Sequence, residues 1–312
     1  MTIFDNQSRI LVQYYDECIR KDKGQPRDLY ESISACTLDI ITESAMGKNA
    51  GAQKSLALDI NNDFVDATGR VARIVHVRMR SPWLWPAFIF NRLPSGREHN
   101  QLLKILHGFS REIIQHRLAT FNAEQAKGNS EKKNRRPLVF LDNLISQMHA
   151  EQLSMDDIQE EVDGFILEGH DTTANAINYT CYLIGSYPDV QAKVQAEIDA
   201  IFADDFERAC TMEDTYHMTY LESVIKESMR LFPPVPLIGR EIQEDFVYRG
   251  ETIRKGTTVV VFLPGIHQDP SVFPDPDKFD PDRFSASAER SKDWSPYGFI
   301  PFSVGSRNCI GQ

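Results

Sequence analysis

A run near the end of the chain combines a cysteine with glycine and arginine at fixed spacing. Residues 302–311 read FSVGSRNCIG and fit the pattern F-x-x-G-x-R-x-C-x-G. A cysteine thiolate can serve as an axial ligand to haem iron, where the electron density it donates favours O–O cleavage. Arg307 and nearby backbone N–H groups would favour the thiolate form of Cys309, and Gly305 and Gly311 would let the backbone approach a flat macrocycle. The run predicts a haem-thiolate site, with a buried structural cysteine in a turn as the alternative.

A second polar group lies in the middle of the longest predicted helix. Residues 168–173 read EGHDTT, although glycine in a helix costs about 1 kcal/mol relative to alanine and threonine competes for backbone carbonyls. Such a conflict between local sequence and global role is expected at functional segments. Glu168 and Thr172, four residues apart, project from one helix face. Hydroxyl and carboxylate groups there could carry protons into a dry pocket, whereas a kinked structural helix with incidental threonines is the alternative.

The elements that must position these two runs are mainly helical in the first two-thirds of the chain. Ser154 and Asp157 predict a capping-box start for a helix that continues to about Ser186, before Pro188. Another amphipathic helix is predicted from Gln101 to Phe121, with these side chains inward: Leu102, Ile105, Leu106, Phe109, Ile113 and Ile114. A polar, basic loop is predicted at 127–137.

The last third of the chain changes character. Residues 218–232 predict a helix that is stopped by two prolines. Residues 246–253 predict a hairpin with its turn at Arg249 and Gly250, and the β-branched run 257–263 predicts a strand. The fold class predicted from these patterns is mainly α with a small β-sheet.

Composition excludes several classes of protein. Acidic residues outnumber basic ones by 45 to 34, giving a net charge of −11 and a pI near 5.2. This balance argues against a nucleic-acid binder. The five cysteines contain no C-x-x-C pair, so neither a disulfide framework nor a zinc ribbon is predicted, and a reducing, cytosol-facing environment fits best. No signal peptide or run of 18 apolar residues is present, so the chain is predicted to be soluble or peripheral.

The cysteine run resembles the signature of the cytochrome P450 superfamily, the haem-thiolate monooxygenases. Two further runs resemble family motifs in the expected order: residues 227–230 fit E-x-x-R, and residues 281–284 resemble P-E-R-F with an aspartate in place of the usual glutamate. A Glu–Arg pair three residues apart is common on solvated helix faces, so E-x-x-R alone is weak. The resemblance implies that Glu227, Arg230 and Arg283 form a buried ion-pair network.

The mid-helix run resembles the family's oxygen-activation motif, (A/G)-G-x-(D/E)-T-(T/S). The resemblance implies that Thr172 holds water and stabilises bound dioxygen, and that Asp171 relays protons. Local distortion at Gly169 and Thr172 would open the helix to that water. The longer run E-G-H-D-T-T resembles family 4, in which the glutamate at the position of Glu168 can form an ester with a haem methyl group. A polar glutamate without a cross-link is the alternative.

The resemblance also implies the cofactor and its remaining contacts. The cofactor is haem b, with Cys309 as the iron ligand and with Phe302 and Gly305 in the cofactor-binding loop. Arg307 and Arg240 are the expected partners of the haem propionates. His267, in GIHQDP, lies at a recognisable family position, although a packing or loop-stabilising histidine is the alternative.

As a whole, the resemblance implies one P450 domain over residues 1–312, truncated at both ends. The N-terminal anchor, the early helices and the segment after the haem cysteine are expected to be missing. The implied activity inserts one oxygen atom of O₂ into an apolar, fatty-acid-like substrate. Electrons would come from NADPH through NADPH–cytochrome P450 reductase, with cytochrome b5 as a further donor and no nucleic-acid partner. The implied location is the cytosolic face of the endoplasmic reticulum membrane.

Two other functions remain open at this stage. One is a superfamily isomerase or dehydratase without external electrons, against which Thr172 and Asp171 argue because such enzymes need no proton relay to dioxygen. The other is a non-catalytic haem binder or an inert fragment.

The aromatic and basic stretch at 78–90 suits a membrane interface. Ordinary core packing of these side chains is at least as well supported.

Overall fold

The computed structural model describes residues 1–23, 25–60, 62–126, 140–150, 152–203, 205–285 and 295–312. Within these ranges the chain is mainly helical with two small antiparallel sheets, which confirms the predicted fold class. It divides into two compact units, residues 2–174 and residues 175–312 with Met1. The single domain expected from the resemblance stays a prediction, and the predicted loop at 127–137 lies outside the described residues.

Residues 2–174 form a helical unit. Its helices are α1 (Thr2–Asp22), α2 (Tyr30–Met46), α3 (Ala52–Ala57), α4 (Asp63–Met79), α5 (Ala87–Phe90), α6 (Pro94–Ala126), α7 (Phe140–His149) and most of α8 (Met155–Ser186), with a 3₁₀ turn at Pro82–Leu84. Apolar side chains of α2, α6, α7 and α8 form its core; the most buried are Leu38, Met46, Ile113, Ile114, Leu141, Ile145, Ile158 and Val162.

The capping box predicted for α8 is present. The Asp157 N–H donates to Ser154 Oγ at 3.2 Å, and the Ser154 N–H donates to Asp157 Oδ2 at 2.7 Å. Two N–H groups that would otherwise lack helical partners are thereby satisfied. The helix then runs unbroken to Ser186, as predicted.

Helix α6 is longer than its apolar pattern indicated, because Pro94 provides a helical first turn that the pattern does not report. Leu102, Ile113 and Ile114 are buried as predicted. The inward placement of Ile105 is wrong, since its side chain is 40 % exposed. The buried face of α6 is centred closer to Ser110 and Ile114 than the apolar pattern predicted, so Ile105 lies outside that face.

The second unit contains three of the four motifs that resemble those of the family, at residues 227–230, 281–284 and 302–311. Its remaining elements are α9 (Pro188–Phe202), α10 (Met212–His217), α11 (Thr219–Leu231), β1 (Leu237–Glu241), β2 (Phe246–Tyr248), β3 (Glu251–Ile253), β4 (Thr258–Phe262) and α12 (Leu263–His267), with a 3₁₀ turn at Pro281–Phe284. Leu183, Val194, Val224 and Phe279 form its apolar core.

Both sheets of this unit are two-stranded and antiparallel. Strand β1 pairs with β4, with Leu237 opposite Phe262. Strands β2 and β3 form the predicted hairpin. Its turn residues, Arg249 and Gly250, have φ of +51° and +83°, the left-handed conformation that matches the twist of a tight hairpin.

The aromatic stretch at 78–90 is divided between core and surface. Phe90 is buried beneath Arg78, whose guanidinium lies 4.2 Å from the ring centre. Trp83, Trp85 and Phe88 are instead at least 60 % exposed, so core packing does not account for these three. Among the helices built from described residues, none combines the length and apolar character needed to cross a membrane.

Candidate functional site

The cysteine run forms a closed loop at the end of the second unit. The Cys309 N–H donates to the Phe302 carbonyl at 2.9 Å, and Asn308 N–H to the Gly305 carbonyl at 3.1 Å. Gly305 has φ of +89°, a backbone conformation that residues with a Cβ rarely adopt. The loop therefore needs glycine at this position for its own geometry.

The Cys309 sulfur is available to a ligand. Its Sγ accepts the Gly311 N–H at 3.3 Å. Cys309 is exposed, which argues against a buried structural cysteine. Val304 and Ile310 of the same loop are 47 % and 76 % exposed. A soft sulfur donor beside apolar side chains fits an iron porphyrin, which is apolar across its faces and binds thiolate at its iron.

Two arginines predicted to bind propionates lie at this loop. Arg240 of β1 donates through Nη2 to Ser303 Oγ at 3.2 Å and to the Arg307 carbonyl at 3.5 Å. Arg307 is exposed on the loop itself. Strand β1 therefore brings a second cation to the cysteine loop, and guanidinium groups are suited to binding carboxylates.

His267 supports the segment that leads into the loop. Its Nε2 accepts the Ile300 N–H at 3.0 Å, and its ring centre lies 5.2 Å from that of Phe299. Burial, together with the nearby Arg230 charge, lowers the pKa of His267 to about 4. A nitrogen that accepts an N–H is unprotonated, so the ring is neutral. These contacts support the loop-stabilising alternative for His267.

The three residues of the expected network are in contact. Arg230 makes a bidentate ion pair with Glu227, at 2.7 Å and 2.9 Å, and both side chains are fully buried. Arg283 Nε lies 3.4 Å from Glu227 Oε1. The solvated-face alternative for the E-x-x-R pair is therefore wrong.

This network joins α11 to the irregular chain that follows α12. Arg230 donates to the carbonyls of His267 and Lys278 at 3.0 and 3.1 Å. Arg283 donates to the Asp275 carbonyl at 2.8 Å. Asp282, the residue that departs from the family pattern, is exposed beside Lys193 at 3.3 Å. The departure thus lies outside the buried cluster.

In the first unit, the segment 168–173 remains helical. The Thr172 hydroxyl donates to the Glu168 carbonyl at 2.7 Å, within a helix that has no break. Such a bond back to the preceding turn competes for the carbonyl. The structure nevertheless shows a continuous α-helix through Gly169 and Thr172, and not the predicted local opening.

Glu168 and His170 face different sides of α8, as the helical spacing indicated. Glu168 is exposed. His170 is buried, its Nδ1 lies 2.8 Å from the Ile166 carbonyl, and burial lowers its pKa. The carboxylate and not the imidazole is therefore the accessible group at this point.

Sequence reasoning missed the partner of Asp171. The Tyr30 hydroxyl, at the start of α2, donates to Asp171 Oδ1 at 2.6 Å. The two residues are 141 positions apart, and no local pattern connects them.

Comparison with known proteins agrees with the motifs. The family model described as Cytochrome P450 matches residues 2–312. Human cytochrome P450 4V2 is 41 % identical over 319 residues, covering 100 % of this chain and 59 % of the relative. Cytochrome P450 4c3 of Drosophila melanogaster is 37 % identical, covering 99 % of this chain and 58 % of the relative. The chain thus spans about three-fifths of the length of these relatives.

A solved structure agrees in fold. The crystal structure of the cytochrome P450DA heme domain matches with a TM-score of 0.77 at 23 % identity, covering 100 % of this chain and 62 % of that one. This likeness confirms the predicted fold. The family match over nearly the whole chain and the identities with family-4 proteins establish the relationship: this chain belongs to the cytochrome P450 family and is similar to its family 4.

Proposed function

We propose that this chain carries the haem-thiolate and proton-delivery residues of a monooxygenase that inserts one atom of O₂ into an apolar substrate. The observation that carries the proposal is the exposed Cys309 sulfur, held in a closed loop by a backbone N–H. When bound, haem b supplies the redox chemistry that reduces and cleaves O₂. Membership of the family supports a haem cofactor.

The residues of the cysteine loop bind and orient the cofactor. Cys309 would ligate the haem iron through its sulfur, and the Gly311 N–H, which donates to that sulfur, would moderate its charge. Phe302 and Gly305 set the path of the loop through their backbone. Arg240 and Arg307 hold the propionates, because they place guanidinium groups at the loop.

The helical segment of α8 handles protons. Thr172 holds water through its hydroxyl. This hydroxyl donates to the Glu168 carbonyl, and rotation of one side-chain torsion lets it bind a water molecule instead. Asp171 passes protons to that water, because a carboxyl group can act as both general acid and general base. The family motif, and not a distance, links these two residues to the bound oxygen.

Glu168 carries a further proposal, a covalent ester to a haem methyl group. Glu168 is exposed on α8, so its carboxylate is accessible for reaction. The matches to family-4 proteins support this assignment. An ester would keep haem attached to the protein after acid–organic extraction.

Substrate, electron donors and location follow the family. We infer a fatty-acid-like substrate, electrons from NADPH through cytochrome P450 reductase with cytochrome b5 as a further donor, and the cytosolic face of the endoplasmic reticulum membrane. The similarity to family-4 proteins supports the substrate class. The exposed aromatic residues at 83–88 suit a membrane surface.

The carbon monoxide difference spectrum of the reduced, haem-reconstituted protein tests the proposal. We expect a strongly red-shifted Soret band in the parent and its loss in Cys309→Ala, since only a thiolate ligand produces that shift. Cys181→Ala, which removes another exposed cysteine, is the matched control and should keep the band. Haem should stay with the parent but leave Glu168→Ala on acid–organic extraction.

Other outcomes would contradict the proposal. A band at the position of histidine-ligated haem, or an unchanged band in Cys309→Ala, would remove Cys309 as the ligand. A red-shifted band without oxygenated product from lauric acid, with reductase and NADPH present, would favour a non-catalytic haem binder. If haem is extracted from the parent as readily as from Glu168→Ala, the proposed ester is wrong, and the rest of the proposal is unaffected.

A further inference from the structure

We propose that Tyr30 is a positioning residue for Asp171, orienting the carboxylate that passes protons to the oxygen-activation segment of α8. The inference rests on the proposed function of Asp171. It adds a residue outside the four motifs, on a different helix, that acts on the reaction only through that carboxylate.

The hydrogen bond between the two side chains has the geometry of a strong, charge-assisted contact. Tyr30 is the first residue of α2, and its hydroxyl oxygen lies 2.6 Å from Asp171 Oδ1. O–H···O⁻ bonds of 2.5–2.7 Å are typical of ionised acceptors and are about twice as strong as neutral ones. Both side chains are half-buried, so water weakens the bond less than it would at a fully exposed position.

Helix α2 also holds the backbone of the same α8 segment. Thr37 Oγ1 donates to the His170 carbonyl at 3.0 Å. A Cβ at Gly169 would lie 2.8 Å from the Ile41 side chain, which shows that the two helices touch there. Residues 30, 37 and 41 recur at helical spacing and so share one face of α2. The backbone of α8 is therefore anchored independently of Tyr30.

This division of contacts gives Tyr30 a specific role. Because Thr37 and Ile41 contact the α8 segment separately, loss of the Tyr30 hydroxyl removes a contact of the Asp171 side chain and leaves these two contacts in place. A proton carrier must keep its carboxylate within hydrogen-bond reach of the next group in the path, and a small misplacement of such a group is costly in rate. Tyr30→Phe should therefore impair proton delivery without disturbing the packing of the helix.

The experiment compares Tyr30→Phe, Asp171→Ala and the double variant in the reconstituted holoenzyme with reductase. Product from lauric acid and hydrogen peroxide are each measured per NADPH consumed. We expect Tyr30→Phe to lower product per NADPH about 3- to 10-fold, with a matching rise in peroxide. Asp171→Ala should lower it further, and the double variant should equal Asp171→Ala, since no carboxylate remains to be positioned.

Tyr15→Phe is the matched control. Its hydroxyl lies 2.8 Å from Ser32 Oγ, so this change removes an inter-helical hydrogen bond of another tyrosine hydroxyl in the same unit, with a neutral partner. It should leave product per NADPH unchanged. A loss equal to that of Tyr30→Phe would show a general packing effect and overturn the proposal.

A second readout needs no turnover. A double-mutant cycle on the unfolding equilibrium should show that Tyr30→Phe and Asp171→Ala are non-additive, by a factor of at least about three in the unfolding constant. Tyr15→Phe and Asp171→Ala should be additive. If the effects of Tyr30→Phe and Asp171→Ala on unfolding are additive, the two side chains do not interact, and the proposal is wrong.

The outcomes separate this inference from the proposed function. If Asp171→Ala loses product while Tyr30→Phe matches the parent, or adds its own loss in the double variant, Tyr30 has no positioning role and the proposed function stands. If Asp171→Ala gives as much product per NADPH as the parent, Asp171 carries no protons, and the roles proposed for Asp171 and for Tyr30 are both wrong. A parent without the red-shifted carbon monoxide band also overturns both.

Discussion

At the scale of single residues, His267 is expected to make stability depend on pH. Its pKa in the folded chain is about 4, against about 6.5 in an unfolded chain. Protons therefore bind the unfolded state more tightly. The stabilisation is complete above pH 6.5 and is lost as the pH falls towards 4, to a total of about 3 kcal/mol. Protonation would also break the bond from the Ile300 N–H.

Urea unfolding at pH 7 and pH 4.5 measures this effect. The free energy of unfolding should fall by less between these pH values in His267→Gln than in the parent, because the titrating group is gone. His76→Gln removes an exposed histidine whose Nδ1 lies 2.8 Å from the Ala72 carbonyl of its own helix, and it should keep the parent's pH dependence. Equal pH dependence in the parent and His267→Gln would contradict the assignment.

At the scale of elements, the buried ion pair on α11 is expected to hold the second unit together. Glu227 contacts Arg230 and Arg283 and also accepts the Asp280 N–H at 2.9 Å. Glu227→Gln would remove the carboxylate that two buried guanidinium groups contact. Removing one partner of a buried pair costs about 3–5 kcal/mol. We expect that loss in the free energy of unfolding.

Glu222→Gln, on the same helix, is the control for this change. Its side chain is 64 % exposed and pairs with Lys226 at 3.1 Å. Exposed pairs of this kind contribute about 0.3–0.5 kcal/mol, so its unfolding midpoint should stay close to the parent's. Similar losses in both variants would show that the cluster is not the source of the stability.

Local chemistry explains which elements could be predicted from the sequence. The capping box of Ser154 and Asp157 and the hairpin at 246–253 depend on neighbours within a few residues, and both are present. The cysteine loop is likewise a short-range pattern. By contrast, the contact of Tyr30 with Asp171 spans 141 positions, and the exposure of Ile105 depends on how α6 is rotated against its neighbours. Tertiary packing decides such features, so no local signal reports them.

At the scale of the whole molecule, net charge and local surface composition point in different directions. The chain carries a net charge of −11, which disfavours attraction to anionic lipid headgroups. Yet Trp83 and Phe88 are 68 % and 67 % exposed, in a stretch of sequence that also contains Arg78 and Arg80. Association with a membrane would therefore depend on the insertion of aromatic side chains and not on overall charge.

Binding to phosphatidylcholine vesicles tests this interpretation. Trp83→Ser with Phe88→Ser should weaken binding at least about tenfold, because each change removes apolar area that enters the headgroup region. The unfolding midpoint should not change, since both side chains are exposed. Tyr216→Ser removes an aromatic side chain that is 73 % exposed in the other unit and should bind like the parent. If all three proteins bind equally, residues 83–88 are not a membrane-contacting surface, and the proposed membrane location would have to rest on other parts of the protein.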